Sequence, residues 1–242
     1  MLRKGMIRGF AAALGFMAFA AGLAFSTTES GPGVSPDKAL QKLMEGNKHY
    51  VENKMTNPAM CDSEARTALA KSQKPYAIIL TCSDSRVPPE IVFDKGLGEI
   101  FVVRVAGNIP DPVVLGSIEY AAEHLGSSLV MVLGHERCGA VTATVDSKEK
   151  STGSANIDAI VKAIAPNVKS AVHDCDACKG VKKCAETKKN EFVECVIDAN
   201  AKTVAASLTK KSAILRHLVH EKKIKIVAAK YDLDDGKVTL FK

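Results

Sequence analysis

Five short apolar segments most strongly constrain the fold of this chain. Runs of this length without alternating polar residues are typical of strands buried on both faces, and helical patterns separate several of them. The chain therefore predicts an α/β fold: a central, mostly parallel sheet flanked by helices. The Asp235-Gly236 turn before the last segment predicts one antiparallel edge strand. The five predicted strands cover residues 76–81, 100–105, 129–133, 224–228 and 238–241, with helices from residue 37 and over 113–125.

Residues 1–26 have the features of a secretory signal peptide. Arg3, Lys4 and Arg8 precede an uncharged apolar run over residues 10–25, and a small-x-small pattern ends at Ser26. We expect cleavage after Ser26 and export, to the periplasm, with no membrane association afterwards. The alternative is an uncleaved anchor, although the run is shorter than the roughly 20 residues of a spanning helix.

The rest of the chain divides into a short linker and one large domain. Residues 27–36 are polar and rich in Pro and Gly, and 37–242 form the predicted domain, with a Cys- and Lys-rich insertion at about 166–190. The formal net charge of the whole chain is +6, of which the three basic residues of the signal contribute 3, leaving 6 − 3 = +3. This weak bias, without a basic and aromatic stripe, argues against nucleic acid as a partner.

Two polar segments directly follow two of the predicted strands. Cys82 and Asp84 follow the first strand, and His135 and Cys138 follow the third. The carboxyl ends of parallel strands line the ligand crevice of an open sheet, so these side chains can meet there. Thiolate, imidazole and carboxylate are ligands that zinc accepts. A lone Cys or His at a strand end is more often structural, but the two pairs together favour a metal site. They name no substrate.

The same segments resemble the two signature motifs of the β-class carbonic anhydrases: CSDSRV at 82–87 and HERCGA at 135–140. The similarity extends to residues 45–50, 98–108, 116–121 and 231–238, and so covers about 37–241. The resemblance implies a lyase that reversibly hydrates carbon dioxide to bicarbonate and a proton, using hydroxide that zinc generates from water. It also implies Zn2+ bound by Cys82, His135 and Cys138, and a homodimer or homotetramer.

Asp84 and Arg86 are the catalytic residues that the resemblance implies, and Asp84 has two possible places. As a fourth zinc ligand, Asp84 closes the site; paired with Arg86, it leaves the fourth position open and can orient the hydroxide. The sequence leaves both states open. Some relatives have a bicarbonate pocket built from Trp, Arg and Tyr. Arg104 stands at the Arg position of that pocket, whereas Ile79 stands where the Trp would lie.

Two other functions are compatible with these residues. One is hydrolysis of carbonyl sulfide or carbon disulfide at the same site, and the other is a non-catalytic zinc-binding or thiol-redox module. Five further cysteines have three explanations: disulfides in an exported protein, a second zinc site built from Cys175, Cys178, Cys184 and Cys195, or free and redox-active thiols. They are Cys61, Cys175, Cys178, Cys184 and Cys195, and disulfides are the explanation that export favours. Their odd number leaves at least one thiol unpaired or paired with another molecule.

Overall fold

The structure is a computed structural model that describes residues 33–56, 62–148, 150–179 and 184–242. The predicted signal peptide and Cys61 lie outside the described residues. Within those ranges, no helix is both long enough and apolar enough to cross a membrane.

A single five-stranded sheet forms the centre of the protein, with the strand order β2-β1-β3-β4-β5. The first four strands in that order run parallel, and β5 pairs antiparallel with β4. The predicted fold class, including the antiparallel edge, is therefore confirmed. The strands are β1 (Ala77–Thr81), β2 (Ile100–Arg104), β3 (Leu129–His135), β4 (Lys225–Tyr231) and β5 (Val238–Leu240).

Helices cover both faces of this sheet. The two central strands, β1 and β3, are buried at every residue, as their continuous apolar sequences predict. The helices are α1 (Pro36–Val51), α2 (Ser63–Leu69), α3 (Pro89–Val92), α4 (Pro112–Glu123), α5 (Gly139–Ser147), α6 (Ala155–Asp174), α7 (Cys184–Thr187), α8 (Lys189–Lys211) and α9 (Ala213–His220).

Successive residues of the central strands face opposite layers. Ile79 and Met131 pack with residues of α1 on one face. Ile78 and Val130 pack with residues of α4, α8 and α9 on the other. The helix predicted from residue 37 begins at Pro36, where the hydroxyl of Ser35 accepts a hydrogen bond from the Lys38 amide. Both faces of the sheet are thus closed, and its carboxyl edge is where side chains can meet a ligand.

The segment at 166–190 interrupts the fold less than the sequence suggests. Its first nine residues continue α6 to Asp174, with Pro166 inside the helix. A buried face that includes Val161, Ile164 and Ala171 holds α6 in place despite the amide that proline lacks. The next helix, α8, begins at Lys189.

Four of the five surplus cysteines form two disulfides. Cys175 pairs with Cys195, and Cys178 pairs with Cys184. Cys175 caps the carboxyl end of α6 and Cys195 lies within α8, so the first bridge ties these two helices together. Of the three explanations for these cysteines, disulfides are the one that the structure contains.

Candidate metal centre

The ligand atoms of Cys82, His135 and Cys138 come together at the carboxyl edge of the sheet. All three residues are buried, and their sulfur and nitrogen ligand atoms lie within 4.8 Å of one another. The register explains the meeting, because β1 and β3 are neighbours with Thr81 opposite Leu133. The Thr81 hydroxyl also donates to the Leu133 carbonyl at 2.9 Å, which fixes the two strand ends side by side.

The imidazole of His135 presents an unprotonated nitrogen to this cluster. Its Nδ1 lies 2.8 Å from the carbonyl oxygen of Glu136, which can only accept a hydrogen bond, so the proton of a neutral ring is on Nδ1. The other nitrogen, Nε2, is buried and has no hydrogen-bond partner within the described part of the chain. A buried acceptor without a partner is costly, and a metal ion bound to Nε2 would satisfy it.

The two thiols are close enough to share one ion. Their sulfur atoms are 4.0 Å apart, and the amide of Gly107 donates to the Cys82 sulfur at 3.4 Å. A hydrogen bond from Cys138, aided by the Gly107 amide, outweighs burial and holds the pKa of Cys82 well below its ordinary value. The hydrogen bond to Cys82 and burial raise the pKa of Cys138.

The turn between His135 and Cys138 aims both side chains at the same point. Arg137 has a left-handed backbone (φ 50°) and lets the chain reverse sharply after β3. Cys138 is then the residue immediately before α5, where the helix dipole favours a thiolate. The side chain of Arg137 is half exposed and binds the Asp234 carboxylate through two hydrogen bonds.

Asp84 and Arg86 form a bidentate pair beside the three ligands. Nε and Nη2 of Arg86 donate to the two carboxylate oxygens of Asp84 at 2.9 and 2.7 Å. The Asp84 carboxylate nevertheless stays near the cluster, since its Oδ2 is 3.9 Å from Nε2 of His135. Arg86 holds the pKa of Asp84 well below its usual range, so the carboxylate stays ionised. The role of Asp84 as a fourth metal ligand stays a prediction.

Arg104 fastens the loop that carries Cys82 and Asp84. Its guanidinium donates to the carbonyl oxygens of these two residues at 3.0 and 2.5 Å. In this structure Arg104 therefore binds the backbone of the loop that carries Cys82 and Asp84. Ile79, which stands where the Trp of some relatives would lie, is fully buried in the sheet.

Gly107 is the contributor that sequence reasoning missed. Its amide contacts the Cys82 sulfur, yet a backbone donor leaves no trace in composition or spacing. The only sequence signal is the glycine itself: it has a positive φ of 73°, and a Cβ there would come within 2.6 Å of Ile164.

This donor set fits zinc. Two thiolates and one imidazole are ligands that zinc prefers, and three protein ligands with an open fourth position are typical of catalytic zinc sites. Glu136, Asp232 and Asp234 form a second group of close carboxylates, but this group is partly exposed and has only hard oxygen donors.

The chain is similar to several known proteins. A family model described as carbonic anhydrase matches residues 77–238. Carbonic anhydrase 2 of Mycobacterium tuberculosis is 37% identical over 210 residues, covering 86% of this chain and 94% of the relative. Carbonic anhydrase of Mycolicibacterium smegmatis is 36% identical over 210 residues, which cover 86% of this chain and 95% of the relative. One of two tetrameric β-carbonic anhydrases from the ascomycete Sordaria macrospora has a similar fold, with a TM-score of 0.64, 20% identity, and 84% and 96% of the chains covered.

Proposed function

Because the chain belongs to the β-class carbonic anhydrases, we propose that it hydrates carbon dioxide at the Cys82–His135–Cys138 cluster with zinc as its metal. Carbon dioxide is a weak and uncharged electrophile, so the main chemical need is hydroxide at neutral pH. Zinc, when bound, supplies it by lowering the pKa of water to about 7. The observation that carries this proposal is the buried set of three soft donors beside a carboxylate held away from them by an arginine.

The three ligands determine the charge of the site. Cys82 and Cys138 contribute two negative charges when both are thiolates, and His135 binds as a neutral ring through Nε2. The carbonyl of Glu136 holds Nδ1 of the ring and so fixes the tautomer and orientation of the imidazole. With only three protein ligands, a fourth position remains for the reacting oxygen.

The Asp84–Arg86 pair acts as a gate and as an orienting group. Arg86 grips both carboxylate oxygens of Asp84, which keeps the carboxylate off the fourth position. Oδ2 of Asp84 lies 3.9 Å from Nε2 of His135. At that distance it can accept a hydrogen bond from the attacking oxygen, which directs a lone pair of that oxygen at the carbon of the substrate. Because Asp84 stays ionised, it serves as an acceptor and not as an acid.

Stopped-flow measurement of carbon dioxide hydration, on zinc-loaded protein across about pH 7 to 9, tests the proposal. We expect turnover that disappears when zinc is removed and returns when zinc is restored. Absence of hydration anywhere in this range, from protein that contains one zinc per chain, would refute it. Parallel assays with carbonyl sulfide and carbon disulfide decide whether either is a better substrate than carbon dioxide.

We also propose that the protein assembles as a homodimer or homotetramer, and that it is exported and loses residues 1–26 by cleavage. The tetrameric assembly of the Sordaria macrospora enzymes supports the first, and the basic and apolar N-terminus supports the second. Sedimentation equilibrium of the mature protein measures the assembly, and a purely monomeric protein would contradict it. N-terminal sequencing tests the export: we expect a start after Ser26, and a start at Met1 would refute cleavage.

A further inference from the structure

We propose that Asn200 and Asn167 are positioning residues for the metal-binding sulfur of Cys82, acting through Gly107. Neither asparagine belongs to the motifs that identify the family, and neither touches the three ligands. The inference rests on the proposed function, because it treats Cys82 as a zinc ligand.

A continuous set of hydrogen bonds joins these residues to the metal centre. Asn167, in α6, donates through Nδ2 to Oδ1 of Asn200 in α8 at 2.9 Å. Asn200 donates in turn through its own Nδ2 to the carbonyl oxygen of Gly107 at 2.9 Å. Gly107 then donates its amide to the sulfur of Cys82 at 3.4 Å. Helices α6 and α8, which lie far from Cys82 in the sequence, are thus connected to its sulfur atom through Gly107.

The glycine makes such support necessary. Gly107 has a left-handed backbone (φ 73°) inside a short 3₁₀ turn, Ala106–Asn108, and glycine rotates more freely than any other residue. Its amide and its carbonyl lie on either side of the Cα atom, so fixing the carbonyl limits the rotation that would turn the amide away from Cys82. Asn200 supplies that fixed point, and Asn167 orients the amide group of Asn200.

The burial of the two asparagines supports a specific role. Asn200 is 1% exposed and Asn167 is 5% exposed, in a region packed with apolar side chains and with Cys82 and Cys138 themselves. Buried amides are costly unless their hydrogen bonds are made, so an apolar pair would serve simple packing better. Oriented donors beyond the first ligands are the usual means of fixing a metal ligand, and their loss typically weakens metal binding by about 10- to 100-fold.

The disulfide between Cys175 and Cys195 reinforces this arrangement. It joins the end of α6 to α8, the same two helices that carry Asn167 and Asn200. The asparagine pair therefore spans an interface that is also covalently tied.

The test compares zinc affinity and the ligand field of the metal in wild type, Asn200→Leu and Asn167→Leu. Leucine keeps the branching of asparagine at Cγ, although it is larger, and it cannot donate a hydrogen bond. Zinc dissociation constants come from competition with a coloured chelator, and cobalt substitution reports the thiolate-to-metal absorption band. We expect Asn200→Leu to raise the dissociation constant by about 10- to 100-fold and to shift the cobalt band. Asn167→Leu, one step further away, should have a smaller effect in the same direction.

Ser127→Ala is the matched control. Ser127 is also buried, and its hydroxyl donates to the carbonyl of Pro75 at 2.7 Å at the amino ends of the strands, away from the metal. Wild-type affinity and an unchanged cobalt band in a folded Asn200→Leu protein would overturn the inference, as would an equal loss of affinity in Ser127→Ala. If Asn200→Leu does not fold, Asn167→Leu is tested in the same way, and wild-type zinc affinity with an unchanged cobalt band in that variant would overturn the inference. Wild-type protein that binds no zinc would instead refute the proposed function.

Discussion

Replacement of Arg86 by alanine should abolish most of the hydration activity while leaving zinc in place. In the structure, Arg86 holds the Asp84 carboxylate through two hydrogen bonds of 2.9 and 2.7 Å. Without that partner the carboxylate is free to turn towards the cluster, since its Oδ2 is only 3.9 Å from Nε2 of His135. A fourth protein ligand leaves no position for the reacting oxygen.

The expected size of the effect follows from the contacts that Arg86 makes. A hydrogen bond to a charged group is worth about 1.5–3 kcal/mol. The Arg86 side chain is 51% exposed, so solvent screening reduces the two bonds together to about 2–3 kcal/mol. That free energy corresponds to a loss of roughly 30- to 150-fold in kcat/KM.

The assay is stopped-flow hydration with zinc content measured on the same sample. Arg137→Ala is the matched control, because Arg137 makes a similar bidentate pair with Asp234, is equally exposed at 50%, and points away from the cluster. We expect Arg137→Ala to retain most of the activity and Arg86→Lys to restore part of it. Near-normal turnover in zinc-containing Arg86→Ala would refute the gating role.

Four further variants test the fold. Gly46→Ala in α1 would bring a Cβ within 1.8 Å of the Phe93 carbonyl oxygen, so we expect a loss of about 2 kcal/mol or more in denaturant unfolding. Gly116→Ala in α4 meets no atom within 4 Å and should be neutral or stabilising by up to about 1 kcal/mol; similar losses in both would contradict this contrast. Joint replacement of Cys175 and Cys195 by serine opens a loop with a sequence separation of 20 and should cost about 3 kcal/mol in thermal unfolding, whereas an unchanged Tm would mean that the bridge does not form. Burial lowers the pKa of Lys230, but two carboxylates at 2.6 and 3.1 Å outweigh it and raise the pKa overall. Because the folded pKa is the higher one, the stabilisation is complete below the unfolded value of about 10.4 and is lost as pH rises through the folded pKa. We expect Lys230→Met to flatten this alkaline decline in Tm, and an identical decline in the variant would refute the assignment.

The sequence predicts those parts of the fold that depend on local patterns. The buried strands follow from their continuous apolar runs, and Cys82 and His135 follow from their places at the carboxyl ends of two of these runs. These features need only the rule that parallel strands end at the same edge. The helix through Pro166 could not be predicted in this way, because packing of its buried face against α8 overrides the local signal of the proline.

The finer features of the site depend on contacts between residues far apart in the chain. Asn200 bonds to Gly107 across 93 positions, and no spacing or composition rule links the two. The pairing of the cysteines has the same character, since four cysteines allow three pairings and only geometry selects one. Whether Asp84 pairs with Arg86 or turns towards the metal ligands depends on whether Arg86 can reach both carboxylate oxygens. That depends on distances that the sequence does not specify.

The 4.0 Å between the sulfur atoms of Cys82 and Cys138 also bears on the order of events during maturation. A disulfide requires the two sulfurs to move only about 2 Å closer. In the oxidising compartment that the N-terminus predicts, a chain that meets oxidant before metal risks joining its two ligand thiols, whereas bound zinc would occupy both. Timing of metal delivery relative to oxidation would then decide how much of the protein matures into an enzyme. The formation of this disulfide can be measured by the intact mass of the polypeptide after metal-free and zinc-loaded protein are oxidised. The polypeptide from the metal-free sample should be lighter by about 2 Da, the mass of the two hydrogens lost in one additional bridge.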